Sequence, residues 1–152
     1  MAKKSRIGAI EHEFSNRVMP IFLSWGLQRH PNPRTEFGRY QYGYDYEFAD
    51  VRDRSSIKLC SFGIFTRDGG LSITAFKNAA VDPDTQEVPP ILSIRQETFR
   101  LARPFSLRRI LKFMDVSFSL EQRKNESLEA AAARLIDDVI RELPRLKRYL
   151  YG

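Results

Sequence analysis

Between Arg39 and Asp50 the sequence, RYQYGYDYEFAD, places an aromatic residue at every second position. Successive side chains of a β-strand point to opposite faces of its sheet, so a strand here would collect all the aromatic rings on one face. The other face would carry Asp45 and Glu47. Burying unpaired carboxylates is costly, whereas burying aromatic rings is favourable. The pattern therefore predicts a strand whose aromatic face packs inward against a helix, in an antiparallel sheet with one covered face.

The aromatic residues also leave a second interpretation open. They are Tyr40, Tyr42, Tyr44, Tyr46 and Phe48. A buried phenol needs a hydrogen-bond partner, so a cleft that water can reach would suit the tyrosines as well as a dry core. The strand would span about 26 Å, so one end can extend beyond the helices and expose its rings. Exposed tyrosines beside Arg39 would be suited to binding nucleic-acid bases or another protein.

The N-terminal region has the pattern of an amphipathic helix. Apolar residues recur at helical spacing from Ile7 to Trp25, and Ser5 precedes them as a cap. Gly26 is a suitable end for this helix. Pro20 lies inside it and lacks a backbone donor, so we expect the helix to kink or end nearby.

Segments rich in strand-forming residues occupy the middle of the chain. They are Arg39–Ala49, Ile57–Phe65 and Leu71–Ala79. Asp68-Gly69, between the second and the third, is typical of a hairpin turn. These segments predict a three-stranded antiparallel meander. After a proline-rich loop, residues 91–101 fit either a fourth strand or a short helix, and the pattern favours a strand.

The C-terminal third predicts two further helices. A short, basic amphipathic helix follows Pro104, and a long helix begins at Asn125 or Ser127 with a leucine-rich stripe that runs to Leu150. Pro144 should bend the long helix. Together the elements predict a single α+β domain over residues 1–152. Its antiparallel meander of three or four strands packs on one face against the N-terminal helix and the long C-terminal helix.

The charge of the chain is unevenly distributed. The formal net charge is +6, with six basic and two acidic residues in 1–34, seven and ten in 35–98, and twelve and seven in 99–152. Arginine accounts for 18 of the 25 basic residues and suits bidentate contact with phosphate or carboxylate. Basic ends around a mildly acidic middle suit an acidic partner, although a well-solvated surface explains the same charge.

The single cysteine, Cys60, cannot form an internal disulfide. Together with an N-terminal segment that lacks the pattern of a signal peptide, it predicts a cytoplasmic location. No apolar segment is long enough for us to expect membrane insertion.

The candidate catalytic and metal-binding motifs lack either the residue spacing or the partner residues that such sites require. The triplet Glu11-His12-Glu13 falls on a predicted helix, where consecutive side chains diverge by about 100° and cannot converge on one ion. His30 and Cys60 have no potential partners beside them in the sequence. The Asp68-Gly69 turn lacks the lysine of a phosphate-binding loop. We therefore expect no cofactor, metal or catalytic residue.

These observations favour a non-catalytic binding module for a macromolecular partner, most simply a protein, either a different chain or a second copy. Two alternatives stay open: nucleic-acid binding through the basic termini, and a small-molecule or enzymatic site in a tyrosine-lined cleft between sheet and helix. The predicted binding surface consists of Tyr40, Tyr42, Tyr44, Tyr46, Arg39, Arg108, Arg109, Lys112, Arg145 and Arg148.

Overall fold

The computed structural model describes residues 5–67, 69–103 and 118–152, and within them an antiparallel sheet of six strands forms the centre of the molecule. The strands are β1 (Gln28–Arg29), β2 (Phe37–Tyr40), β3 (Gly43–Asp50), β4 (Ile57–Phe65), β5 (Leu71–Ala79) and β6 (Phe99–Leu101). Their order is β1-β3-β4-β5-β6, and β2 pairs with β3 on the same edge as β1. The α+β class and the antiparallel meander are confirmed, with more strands than the three or four predicted.

The alternating aromatic segment is a hairpin, and the prediction of one continuous strand is wrong. Tyr40 of β2 pairs with Gly43 of β3, and Gln41 and Tyr42 form the turn between them. Gly43 has a φ of 140°, and a Cβ there would lie 1.9 Å from the carbonyl oxygen of Ile64. Only glycine fits this position. Because the chain reverses here, the rings of the two arms do not share one face.

The N-terminal helix is interrupted where Pro20 was expected to disturb it. Its parts are α1 (Arg6–Glu13), a π-helical turn (Phe14–Val18) and α2 (Met19–Trp25). The N–H of Met19 donates to the carbonyl of Phe14, five residues back, as in a π-helix. The predicted ends are confirmed: the Ser5 side chain accepts from the Gly8 N–H, and Gly26 closes α2 in a left-handed conformation.

The C-terminal helix α3 (Leu128–Tyr151) is capped by Ser127, whose hydroxyl accepts from the Ala130 N–H at 3.1 Å. It continues through Pro144 without a break. No helix in the described ranges is both long and apolar enough to cross a membrane. Residues 91–101 contain a 3₁₀ turn (Ile91–Ser93) followed by β6, so the strand prediction applies only to their last three residues. The predicted basic helix after Pro104 lies outside the described residues.

The main core lies between the helices and one side of the sheet, here called the helix face. Phe14, at the start of the π-helical turn, stacks on Phe62 of β4 with ring centroids 4.1 Å apart. Phe22 of α2 meets Phe48 of β3 edge to face at 5.3 Å. All four rings are fully buried. Aromatic contacts of this kind add to the burial energy and fix the helices on the sheet.

The opposite side of the sheet, here called the loop face, carries a second and smaller apolar cluster. Its buried members are Ala49, Ile57, Leu59, Ala79, Val88 and Ile91. Val88 belongs to the proline-rich loop after β5, and Ile91 directly follows that loop, so this part of the chain folds back over the loop face. The proline-rich loop covers one end of the loop face. At the other end, near the β2–β3 hairpin, the loop face stays open as a cleft.

Candidate functional site

Two of the predicted tyrosines belong to the core. Tyr44 and Tyr46 lie on the helix face, and the Tyr46 hydroxyl donates to Glu11 Oε1 at 2.8 Å. Burial and this carboxylate raise the pKa of Tyr46. The helix thus supplies the partner that a buried phenol requires. The space between sheet and helix, where a tyrosine-lined cleft was an alternative, is filled here.

The other two tyrosines lie at the tip of the β2–β3 hairpin. Tyr40 faces the loop side, because it is paired with Gly43 and shares that face with Asp45. Tyr42, in the turn, is 62% exposed. Their rings meet edge to face at 5.9 Å. Arg39 lies on the helix-face side, with its guanidinium 5.5 Å from the centre of the Tyr44 ring.

A cleft of about 330 Å³ opens on the loop face beside Tyr40, and we call it the loop-face cleft. Its lining residues are Tyr40, Asp45, Ser61, Gly63, Phe65, Ser72, Thr74, Ile91, Leu92, Ile94, Gln96 and Thr98. The floor comes from β3, β4 and β5, where glycine and small hydroxyl side chains leave space above the sheet. Aromatic rings form one wall, and the segment after the proline-rich loop forms the other.

A shallower hollow adjoins the cleft at the end of the hairpin, and we call it the tip groove. Its volume is about 480 Å³, and its lining residues are Tyr40, Gln41, Tyr42, Phe65, Thr66 and Arg67. The N–H of Thr66 donates to the carbonyl of Tyr42 at 2.9 Å, which ties the turn to the end of β4. Tyr40 and Phe65 line both spaces. The cleft and the groove are therefore parts of one surface.

This surface exposes apolar side chains close together. Leu92 is 89% exposed and lines the cleft, while Phe65 is 38% exposed and lies between cleft and groove. Together with Tyr42 they are three of the five exposed large hydrophobic residues in the described ranges. Clustered exposure of large apolar side chains marks interaction sites more often than scattered exposure does.

Carboxylates give the loop face a negative character. Asp45 lines the cleft and accepts from the Ser61 hydroxyl at 3.1 Å, and burial raises its pKa. Glu47, two residues along β3, is only 4% exposed. Burial and the charge of Asp45 raise the pKa of Glu47 to about 7. The exposed Glu36 also acts on both carboxyl groups. None of the ion pairs among the described residues involves these three carboxylates.

The segment that forms the second wall is held by buried polar contacts. His30 donates from Nε2 to the Pro89 carbonyl at 3.0 Å and accepts at Nδ1 from the Asn32 N–H. The Asn32 side-chain amide donates to the Val88 carbonyl at 3.1 Å. Burial lowers the pKa of His30, which favours the neutral ring that this pattern requires. These contacts fix the position from which Leu92 projects.

Among the predicted basic residues, Arg39 lies beside Tyr44, whereas the described residues of the C-terminal cluster are placed apart from the predicted tyrosines. Arg145 pairs with Glu142 at 3.0 Å and donates to the Ala102 carbonyl, just after β6. Arg148 is exposed on the last turn of α3. Since β2 and β6 lie on opposite edges of the sheet, four strand spacings separate them, or about 19 Å. Arg108, Arg109 and Lys112 lie outside the described residues.

The residues weighed for catalysis or metal binding either contact neighbouring side chains or are buried. Glu11 accepts from Ser15 as well as from Tyr46, and His12 contacts Asn16 one turn along the helix. Cys60 is buried, and burial raises the pKa of its thiol. Within the described part of the chain, no three His, Cys, Asp or Glu side chains are placed to hold a metal ion.

Sequence reasoning missed several residues of this surface. Phe65 and Leu92 are ordinary apolar residues until strand pairing and loop packing bring them together. Gly63 carried a usable signal, because a glycine inside a strand often marks a place where another group approaches closely. Asp45 was recognised as lying opposite the aromatic face, but its position on the floor of a cleft was not foreseen.

Comparisons of the chain with protein-family models, with curated proteins and with solved structures found no match.

Proposed function

We propose that the protein is a non-catalytic binding module that recognises another protein through the loop-face cleft and the tip groove. The observation that carries the proposal is the joining of the two spaces by Tyr40 and Phe65, with Tyr42 and Leu92 exposed around them. Tyrosine and phenylalanine are enriched in protein interfaces, where they provide large contact areas at low cost in side-chain entropy. The cytoplasmic location predicted from the single cysteine is part of this proposal.

The rigidity of the surface supports recognition of a protein. The hairpin is fixed by strand pairing and by the bond from Thr66 to Tyr42, and the opposite wall is fixed by His30 and Asn32. A preorganised surface loses little conformational entropy when a partner binds. The nucleic-acid alternative has weaker support, because Arg145 already pairs with a carboxylate of its own helix.

Site-specific photo-crosslinking in the native cells tests the proposal. A benzophenone amino acid replaces Tyr42 in one variant and Arg54 in a matched control. Both positions are exposed, but Arg54 lies in the connection at the far end of β3, about 23 Å along the strand from the hairpin turn. The adducts of each variant are identified by mass spectrometry.

We expect a defined protein adduct, from a different protein or from a second copy of the chain, at position 42 and not at position 54. The same adducts at both positions, or no protein adduct at position 42, would contradict the proposal. An adduct to nucleic acid at position 42 would favour the nucleic-acid alternative instead.

A further inference from the structure

The floor of the loop-face cleft holds a carboxylate without a cationic partner. Asp45 is the one charged residue among those that line the cleft in the described ranges. Its side chain accepts a hydrogen bond from the Ser61 hydroxyl, and no lysine or arginine described here forms an ion pair with it. A half-buried carboxylate whose donors are a hydroxyl and the neighbouring Tyr46 N–H retains acceptor capacity for a further partner.

Neighbouring acidic residues strengthen the negative potential at this point. The charge of the exposed Glu36, just before β2, acts on Asp45. Glu47, two residues along β3 on the same face, adds a further acidic group that is partly protonated near neutral pH. Physiological salt screens charges beyond about 8 Å, so these close carboxylates outweigh the distant basic ends of the chain. The cleft is therefore locally complementary to a cation although the whole chain carries +6.

The walls of the cleft suit an organic cation. The rings of Tyr40 and Phe65 line the space above Asp45, and the faces of aromatic rings attract ammonium and guanidinium groups. The Ser72 and Thr74 hydroxyls add acceptors on the floor. The volume of about 330 Å³ is far larger than a metal ion requires and fits the end of a long side chain.

We infer that the loop-face cleft receives a basic side chain, arginine or lysine, of the protein partner, with its cationic group on Asp45 between the aromatic wall and Leu92. This inference rests on the proposed function. Arg67 lines the tip groove, and its positive charge would repel a basic side chain there. We therefore expect the partner residue that binds in the groove, next to the basic one, to be apolar or acidic. The recognised feature is thus a basic residue beside an apolar or acidic one.

A phage-displayed library of random peptides, selected on the immobilised full chain, tests the inference. Selected peptides are assayed against the wild type, Asp45→Asn and Gly63→Val. Asparagine keeps the shape of Asp45 without its charge. Valine fills the floor of the cleft, where a Cβ on Gly63 meets only ordinary contacts, the nearest at 3.5 Å from the Phe65 ring. Glu129→Gln, which removes an exposed carboxylate from α3, is the matched control, and thermal unfolding verifies that each variant folds.

We expect selected peptides to be enriched in arginine or lysine beside apolar or acidic residues. Their affinity should fall about tenfold or more in Asp45→Asn, because a bond to a charged group is lost, and should fall likewise in Gly63→Val. Replacing the arginine of a peptide by neutral citrulline should weaken binding to the wild type by a similar factor.

The outcomes separate the inference from the proposed function. Peptides that lose affinity for Gly63→Val but lack basic residues, or bind Asp45→Asn as well as the wild type, would overturn the inference and leave the binding surface in place. Selections that yield no peptide sensitive to Gly63→Val would count against both.

Discussion

Replacing Glu47 by glutamine should make the folded protein more stable at alkaline pH. Glu47 is 4% exposed, and in the described structure its carboxylate receives one long hydrogen bond, 3.5 Å from the Ile91 N–H. Burial is the main cause that raises its pKa from 4.5 to about 7, and the negative charge of Asp45 adds to it. Glutamine has the shape of the protonated acid and no charge, so it avoids the cost of ionising the buried group.

The magnitude follows from the difference between the pKa of Glu47 in the folded and unfolded chain. A rise from 4.5 to about 7 corresponds to about 3 kcal/mol in the free energy of unfolding. The folded state holds the proton more tightly, so the stabilising contribution is fully present below pH 4.5 and is lost as the pH rises through about 7. Above that pH, Glu47→Gln should exceed the wild type in stability by up to about 3 kcal/mol.

Urea unfolding followed by the fluorescence of Trp25, at a series of pH values between about 4 and 9, measures this difference. Glu97→Gln, which changes an exposed carboxylate, is the control and should follow the wild type. Burial lowers the pKa of His30, but His30 is present in every variant, so its contribution cancels when they are compared. Parallel stability curves for the wild type and Glu47→Gln across this range would refute the account of a buried, ionisable Glu47.

Three further predictions concern single side chains. Burial lowers the pKa of His30 in the folded chain, so the unfolded chain takes up the extra proton below about pH 6.5, and this loss of stability opposes the gain from Glu47. In the Glu47→Gln background, which lacks that gain, stability should decline as the pH falls, and adding His30→Gln should flatten the slope in acid unfolding curves. Tyr151→Phe removes the 2.8 Å hydrogen bond to the buried Asp50 carboxylate and should lower the free energy of unfolding by about 1–2 kcal/mol in urea titrations, whereas Tyr42→Phe, at an exposed hydroxyl, should not. Cys60 is 1% exposed, so a thiol reagent should label it only once the protein unfolds, and rapid labelling of the native protein would contradict its burial.

Local chemistry made the helix ends predictable from the sequence. Ser5 and Gly26 bound the N-terminal helical region as expected, and Ser127 caps α3, because side-chain capping and left-handed glycine depend on a few neighbouring residues. The pairing of β4 with β5 likewise follows from the turn signal that includes Gly69, which has a φ of 64°.

The hairpin was not predictable from alternation alone. A two-residue turn at Gln41 and Tyr42 preserves the every-second-residue spacing of the aromatic rings, so the period is the same for one long strand and for two short ones. The backbone geometry at Gly43 decides between them, and it depends on the contact with Ile64 across the sheet. The candidate site depends further on how the proline-rich segment packs on the loop face, which involves residues distant in sequence.

The affinity of the partner identified by crosslinking, for the wild type and for Gly63→Val, tests the central claim most directly. The substitution adds a side chain to the floor of the loop-face cleft at a strand position that valine favours, so the fold should be retained. We predict that binding weakens about tenfold or more, as expected when contacts in a preorganised pocket are blocked. Equal affinity of the two folded proteins would contradict the claim that this cleft is the recognition surface.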